Sequence, residues 1–376
     1  MKKTIKNKIL TLMLFSISIS FIILGFYNAY NNYTSEYNLI KQKELDLANE
    51  TSKSINNYLQ SKVDIVEAVA SEISTLPLKI DNEDIVNKLR LGNISGKFAG
   101  LYIGIEENGN FLQFDGTYRE PHKDNYDSRA RPWYKKAVEL KKAGISEPYV
   151  DFSTKKLVIS VSAPIINNGK IIGVVGSDIF LDTVVNTILN INLHEEGFAY
   201  LIDEQGKTII HKNEKELNTQ NKIYEQIKSE KTLHFDEALE ENNPQLIAYS
   251  TIPMTNWKLI IQLDKNAISK KINADLIKEV ILYIALLVII LAILFFALIK
   301  ILSPLKTFEE GLNFFFRYLK GEEKTINKLN IVTNDEFGSM ALEIDEQMEI
   351  IAKNLYEDKL LIEEVKKIVQ RVKEGN

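Results

Sequence analysis

The sequence predicts an α+β protein anchored by two membrane helices, with a helical segment after the second. Three observations predict it: two uncharged apolar runs of spanning length, period-two hairpin patterns that occur twice between them, and heptad-like apolar spacing beyond the second run. Lys2, Lys3, Lys6 and Lys8 precede the first run, Ile9 to Tyr27, and no charge follows until Glu36. At about 1.5 Å per residue such a run crosses a hydrocarbon core of about 30 Å. It is too long for a signal-peptide core and ends in Tyr27-Asn28-Ala29-Tyr30, with no small-residue cleavage site, so an uncleaved anchor over 9–30 is expected. The second run, Val280 to Ile299, lies between Glu279 and Lys300, and predicts a span over 280–300. With Lys300 and Lys306 just beyond it, the positive-inside rule puts residues 1–8 and the C-terminal part in the cytoplasm and residues 31–279 outside. Tyr27, Tyr30 and Tyr33 suit an interfacial aromatic belt.

The outside region opens with no Gly or Pro from Tyr33 to about Ser74, and Ile55, Leu59, Val63, Val66, Val69 and Ile73 recur at helical spacing. A long stalk helix is expected, ending at Leu76-Pro77 where proline breaks the ladder. Two hairpins follow a second short helix. The first joins Phe98–Ile105 to Phe111–Asp115 through Asn108-Gly109; the second joins Lys156–Ala163 to Ile171–Ile179 through Asn167-Asn168-Gly169. The same grammar returns in Gly197–Ile202, Glu204-Gln205-Gly206 and Thr208–His211, then in Gln245–Ile252, Asn256 and Trp257–Leu263. Two similar antiparallel modules in series are expected, over about 76–185 and 186–270.

Between the hairpins of the first module lies Tyr126-Asp127-Ser128-Arg129-Ala130-Arg131-Pro132-Trp133-Tyr134, followed by Tyr149-Val150-Asp151. Pro132 suits the first position of a helix, which places Arg131 beside a helix N-terminus. Backbone N–H groups there and a guanidinium fork together favour a carboxylate. An ammonium group needs anionic acceptors instead, and Asp178 offers one on a strand face shared with Gly176 and Val174, where the glycine leaves room for a ligand backbone. Asp151 offers a second, and Tyr102, between Gly100 and Gly104, is a candidate for the side-chain pocket. The same residues also fit a blander arrangement, with Arg131 paired to Asp151 or Asp178 and with Trp133 and Tyr134 as core aromatics. Trp257, alone after Asn256, is expected in the core of the second module, which shows no comparable cluster.

Stalk, tandem modules and flanking spans resemble the double Cache sensors of bacterial receptors over about Tyr33 to Ala274, and the motif resembles that of their amino-acid-binding members: Tyr126, Arg131, Trp133, Tyr134, Tyr149, Asp151 and Asp178. The resemblance implies that Arg131, Trp133 and Tyr149 hold the ligand carboxylate. Tyr126, Asp151 and Asp178 would hold its ammonium, with Tyr134 and Tyr102 as further pocket residues. It also implies a two-pass chemoreceptor of the bacterial plasma membrane that binds a free L-amino acid. The alternatives are a receptor for amines or small carboxylates, or the input portion of a histidine kinase or cyclase.

After the second span, Leu305, Phe308, Leu312, Phe315 and Leu319 mark one amphipathic helix, and Phe337, Met340, Ile344, Met348 and Ile351 a second, across a polar connector. With Pro304 just past the membrane, residues 301–353 resemble a HAMP relay. Stripes of that size are buried by pairing, so a homodimer with a parallel four-helix bundle is expected. Leu355, Ile362, Val365, Val369 and Val372 continue a coiled-coil seam over 354–376, still running at Asn376, which leaves both a truncated receptor and a complete short protein open. A chemotaxis histidine kinase and coupling protein are expected partners only if the intact receptor carries a signalling hairpin. Asp335-Glu336-Phe337 is superficially similar to a diguanylate cyclase signature but lacks the preceding Gly-Gly.

Composition narrows the chemistry. A net charge of −5 gives no basic footprint for nucleic acid. The lack of cysteine removes disulfides, thiolate metal sites and thiol nucleophiles. His122, His194, His211 and His234 are scattered, and His194-Glu195-Glu196 lacks the second histidine of a zinc protease. No phosphate loop, nucleophile elbow or dinucleotide fingerprint appears, so neither an enzyme, a cofactor nor a bound metal is expected.

Overall fold

The computed structural model describes residues 5–79, 82–150, 157–180, 182–193, 197–227 and 231–374; Lys2, Lys3, Asp151, Lys156, His194, Glu195, Glu196 and Asn376, named above, lie outside the described residues. The chain divides into two compact units, residues 31–276 and the combination of 1–30 with 277–376.

In the first of these units, α1 (Ile5–Ile73) supplies the stalk, ending where the sequence pattern breaks before Pro77. Ile55, Leu59, Val63, Val66, Val69 and Ile73 are all buried, so the predicted stripe is the packed face. α2 (Glu83–Gly96) starts at Asn82, whose side chain accepts from the Asp84 N–H. The first sheet then forms from β1 (Gly100–Ile105), β2 (Phe111–Gln113), β3 (Tyr118–Arg119), β4 (Gly144–Ile145), β5 (Tyr149–Val150), β6 (Leu157–Asn167) and β7 (Lys170–Phe180). Its order is β3-β2-β1-β7-β6-β4, with β5 also on β6, and every pairing is antiparallel. Across its connections lie α3 (Pro121–Asp124), a single 3-10 turn at Ser128–Ala130 and α4 (Pro132–Leu140). The hairpin between β6 and β7 turns on Asn168 and Gly169, both at positive φ, the two-residue turn that matches strand twist.

α5 (Asp182–Leu189) leads to the second sheet: β8 (Gly197–Ile202), β9 (Thr208–Ile210), β10 (Leu233–Glu240), β11 (Asn243–Ile252) and β12 (Trp257–Asp264), with α6 (Tyr224–Ile227) between β9 and β10. The order is β10-β11-β12-β8-β9. Sequence periodicity had not marked β3, β4, β5 or β10; the first three are two residues each, and β10 is an edge strand whose LHFDEALE pattern leaves most side chains at least partly exposed.

The stalk joins both modules in one apolar cluster. Leu59, Val66 and Ile73 of α1 belong to it with Leu101, Ile103, Val161 and Val175 of the first sheet, and with Leu246, Trp257, Leu259 and Ile261 of the second. Polar ties fix the helix on the second module: Ser52 donates to the Thr251 carbonyl at 3.2 Å, and the Asn56 side chain accepts the Met254 N–H at 3.1 Å. Trp257 is 2% exposed, a core tryptophan as expected. The other face of the second sheet is closed by Tyr200, Tyr249 and Ile260 under Tyr224 and Ile227 of α6.

In the other unit, the N-terminal part of α1 and the part of α7 (Lys265–Leu319) that holds the run from Val280 to Ile299 are long and apolar enough to cross a membrane, and neither apolar window is buried within the protein. α7 continues through Pro304 without ending. After the connector, α8 (Glu336–Lys373) is capped by Asp335, whose carboxylate accepts the Gly338 N–H; the acidic triplet noted above thus opens a helix. Phe308, Leu329 and Ala341 make a small core, and the buried Asp345 carboxylate pins the connector by accepting the N–H groups of Leu329 at 2.6 Å and Asn330 at 3.3 Å.

Candidate functional site

Strand register assembles the site. Asp178 of β7 pairs with Gly100 of β1 and with Ser160 of β6, and the next row on that face is Tyr102, Gly176 and Ser162. The alternate residues, among them Leu101, Ile103, Val161 and Val175, turn to the stalk core, so one face packs and the other is left for α4 and its approach. Over that second face lies a cavity of about 80 Å³, lined by Tyr102, Tyr126, Arg131, Trp133, Tyr149 and Asp178 among others. Six of the eight sequence-predicted residues therefore converge. Asp151 lies outside the described residues, and Tyr134 does not line the cavity. Its ring is buried but its hydroxyl donates to Glu106 at 2.5 Å, because neighbours on a helix point about 100° apart and Trp133 already faces the cavity.

Arg131 is the N-cap of α4, with Pro132 at the first helical position, and no side chain closes that end. Its guanidinium carbon lies 5.5 Å from the centroid of the Tyr126 ring. The nearby two-pronged ion pair belongs to a different arginine: Arg129 holds Asp127 through Nε at 3.0 Å and Nη2 at 2.8 Å. Asp127 also caps the 3-10 turn, which fixes the backbone leading into Arg131.

Asp178 is held from below by hydroxyls. Its Oδ1 accepts from Tyr102 at 2.7 Å, Tyr149 at 3.1 Å and Ser160 at 2.5 Å. Tyr149, assigned to the carboxylate side by resemblance, thus has its hydroxyl beside the aspartate in this structure. Trp133 is 1% exposed, and its ring centroid lies 4.9 Å from that of Tyr102. Gly176 works differently from expectation. A Cβ there would come within 2.5 Å of the Tyr102 ring and 2.9 Å of Trp133, so the missing side chain makes room for those two rings and not for a ligand backbone. Gly100 is the glycine that lines the cavity.

The tyrosines facing the cavity hold their protons past the ordinary value of about 10. Burial raises Tyr102 and Tyr149, and the charge of Asp178 adds to it. Burial also raises Tyr126, against the opposing pull of Arg131. Because the folded state favours the neutral phenols, their stabilising contribution is complete below pH of about 10 and is lost as pH rises from there through the folded-state values. An alkaline titration followed by phenolate absorbance is expected to show a late fraction that ionises only as the fold is lost, and Tyr102→Phe should shrink that fraction. All 16 tyrosines ionising together near pH of about 10 in the folded protein would contradict this burial.

Among the described residues no group of three or more histidines and carboxylates comes together as a metal site. The arrangement sets a cationic fork, a hydroxyl-braced carboxylate and aromatic walls around a small space.

A family model described as a Cache domain, dCache_1, matches residues 35–272. The chain belongs to the double Cache family. The methyl-accepting chemotaxis protein McpG of Pseudomonas putida is 25% identical over 360 residues, covering 93% of this chain and 55% of McpG. McpC of Bacillus subtilis, also a methyl-accepting chemotaxis protein, is 27% identical over 261 residues, 67% of this chain and 38% of McpC. This double Cache chain spans about half the length of curated relatives it matches, and those relatives are chemotaxis receptors, not enzymes. Among solved structures, the ligand-binding domain of Mlp24 with asparagine shares the fold, with a TM-score of 0.54 at 22% identity over 64% of this chain and 99% of that one. The ligand-binding domain of the Pseudomonas fluorescens chemoreceptor CtaA, in complex with L-isoleucine, gives 0.50 at 25% identity over 62% of this chain and 98% of that one.

Sequence reasoning missed several residues of this double Cache site. Ser160 braces Asp178, and Ala99, Gly100, Phe111, Gln113, Arg119, Val158 and Phe180 complete the lining. The register that places Gly100 and Ser160 on this face leaves no mark in strand periodicity.

Proposed function

We propose that this chain is the sensor portion of a two-pass chemoreceptor of the bacterial plasma membrane, that a free L-amino acid is its ligand, and that it relays binding towards the cytoplasm. The carrying observation is the presence of Arg131 and Asp178 on one small cavity, with Tyr126 and Trp133 between sheet and helix. A zwitterion presents one group to each charge: carboxylate to Arg131 and Trp133, ammonium to Asp178 and the Tyr126 hydroxyl, with Tyr149 and Asp151 completing the two ends. CtaA, bound to L-isoleucine in its solved structure, supports the ligand class.

In this reading residues 31–279 lie outside and both termini inside, following the lysine asymmetry. Residues 301–353 act as a HAMP-like relay. Val365, Val369 and Val372 on α8 are about half exposed or more in the single chain, which suits a homodimer that covers that seam. Ligand binding then favours one of two packings of stalk and second span, with shifts on the order of 1 to 2 Å.

The test is calorimetry on the full chain in nanodiscs. Proteinogenic L-amino acids are expected to bind, while the analogues that lack either the α-carboxylate or the α-ammonium group compete weakly. Gly100→Leu is expected to abolish binding with the fold retained by circular dichroism. Its Cβ would meet Gln113 Nε2 only at an ordinary 3.5 Å, whereas the longer side chain enters the cavity. A simple amine competing as well as an amino acid would favour the amine-receptor reading, since an amine cannot use Arg131.

A further inference from the structure

Arg131 and Trp133 line the cavity, while the residues flanking them are fastened elsewhere, to the turn between β1 and β2. Ser128 is fully buried and meets that turn twice: its N–H donates to the Gly109 carbonyl at 3.1 Å, and its hydroxyl donates to the same oxygen at 2.8 Å. Arg129 grips Asp127 through its fork and turns Nη1 to the Glu106 carbonyl at 3.1 Å. Tyr134 donates its hydroxyl to the Glu106 carboxylate at 2.5 Å. Gly109 permits the close approach, since it sits at a φ of +76° and a Cβ there would stand 2.5 Å from Asp127 Oδ1.

Glu106 is common to both flanks. Its carbonyl holds Arg129, just before Arg131 in the chain, and its carboxylate holds Tyr134, in the first turn of α4 just after it. It is itself anchored to the sheet, because its N–H donates to the Ile172 carbonyl of β7 at 3.1 Å. Glu106 is exposed and does not line the cavity. A planar fork meets both oxygens of a carboxylate in one orientation only, so the backbone that carries it and the helix that begins at Pro132 have to be held in place. Bonds from both sides of Arg131 to one anchored residue supply that hold.

We infer that Glu106 is a positioning residue of the carboxylate clamp, orienting Arg131 and Trp133 from outside the cavity through Tyr134 and Arg129. The inference rests on the amino-acid reading proposed above, and its test separates the two. The full chain in nanodiscs is screened by calorimetry with the proteinogenic L-amino acids, and the tightest binder is carried through the variants. Glu106→Ala is expected to weaken it about fivefold or more, whereas Glu106→Gln, which keeps an acceptor oxygen for the Tyr134 hydroxyl, should stay within about twofold of wild type. Tyr134→Phe removes the other end of the same bond and keeps the buried ring, so it should match Glu106→Ala; it decides the matter if a thermal melt shows Glu106→Ala unfolded. In an Arg131→Lys background, where a point donor replaces the fork that needs orienting, Glu106→Ala should cost less than about twofold. A general loosening of the fold would cost as much there as in the wild type. Wild-type affinity in either folded variant, an undiminished loss in the Arg131→Lys background, or a Glu106→Gln variant as weak as Glu106→Ala overturns the assignment while amino-acid binding stands. If no proteinogenic amino acid binds the wild-type chain, the amino-acid reading itself falls, and this inference with it.

Discussion

Arg131→Ala is expected to weaken amino-acid binding by about 30-fold to several thousandfold, because truncating one partner of a buried, hydrogen-bonded charge pair costs about 2–5 kcal/mol. The loss has two parts. In the proposed complex the guanidinium fork provides charge-assisted bonds to both carboxylate oxygens, and its removal would leave that carboxylate dehydrated against Trp133 and the first turn of α4. Arg131→Lys separates them, since it keeps the charge but replaces a planar fork with a point donor; an intermediate loss of about tenfold is expected. Neither variant should disturb the fold, as α4 keeps Pro132 at its first position and Asp127 still caps the preceding turn. Calorimetry beside a thermal melt checks both statements. Wild-type affinity in Arg131→Ala would remove the carboxylate assignment, and with it the reason for reading this cavity as an amino-acid site.

How much of this was legible beforehand differs between elements for physical reasons. The stalk and the two apolar helices could be read because helical periodicity and apolar runs are local and long, and the buried stripe from Ile55 to Ile73 matches the spacing residue for residue. The hairpin at Asn168-Gly169 could be read because that turn demands positive φ at both positions. Register could not. Counting back from the turn pairs Ser160 with Ser177, whereas a bulge at Ile165/Ile166 slides β6 by one residue and sets Ser160 against Asp178. That one-residue slip decides which hydroxyl braces the aspartate, and period-two alternation within a strand carries no trace of it. Arg119 escaped notice because β3 is two residues long, too short for any period. Tyr134 and Gly176 show a different limit. Both stand in or beside the motif, yet one is turned towards Glu106 and the other makes space for aromatic rings, so membership of a motif does not distinguish contact with ligand from support of the residues that make it.

Asp178 tests the opposite end of the ligand, and its surroundings make the expected result specific. Three hydroxyls converge on Oδ1, and Ser160 also contacts the hydroxyls of Tyr149 at 2.5 Å and Tyr102 at 3.4 Å, so the carboxylate is oriented by a network rather than by one bond. Asp178→Asn preserves the volume and one acceptor oxygen but removes the charge that would face the ammonium group in the proposed complex. Amino-acid affinity should fall about 30-fold or more, on the same scale as losing a buried charge partner. A carboxylate without an amine, such as propionate, should lose far less, because it never used that charge. Asp178→Ala should cost stability as well as binding: Tyr102, Tyr149 and Ser160 lose their shared acceptor, and a buried donor left unsatisfied costs about 1–3 kcal/mol, less whatever they recover by bonding to each other. Equal losses for propionate and for amino acids in Asp178→Asn would mean that the aspartate shapes the cavity through its hydroxyl network and does not bind the ammonium, and the division of the site into a cationic and an anionic end would then fail at this residue.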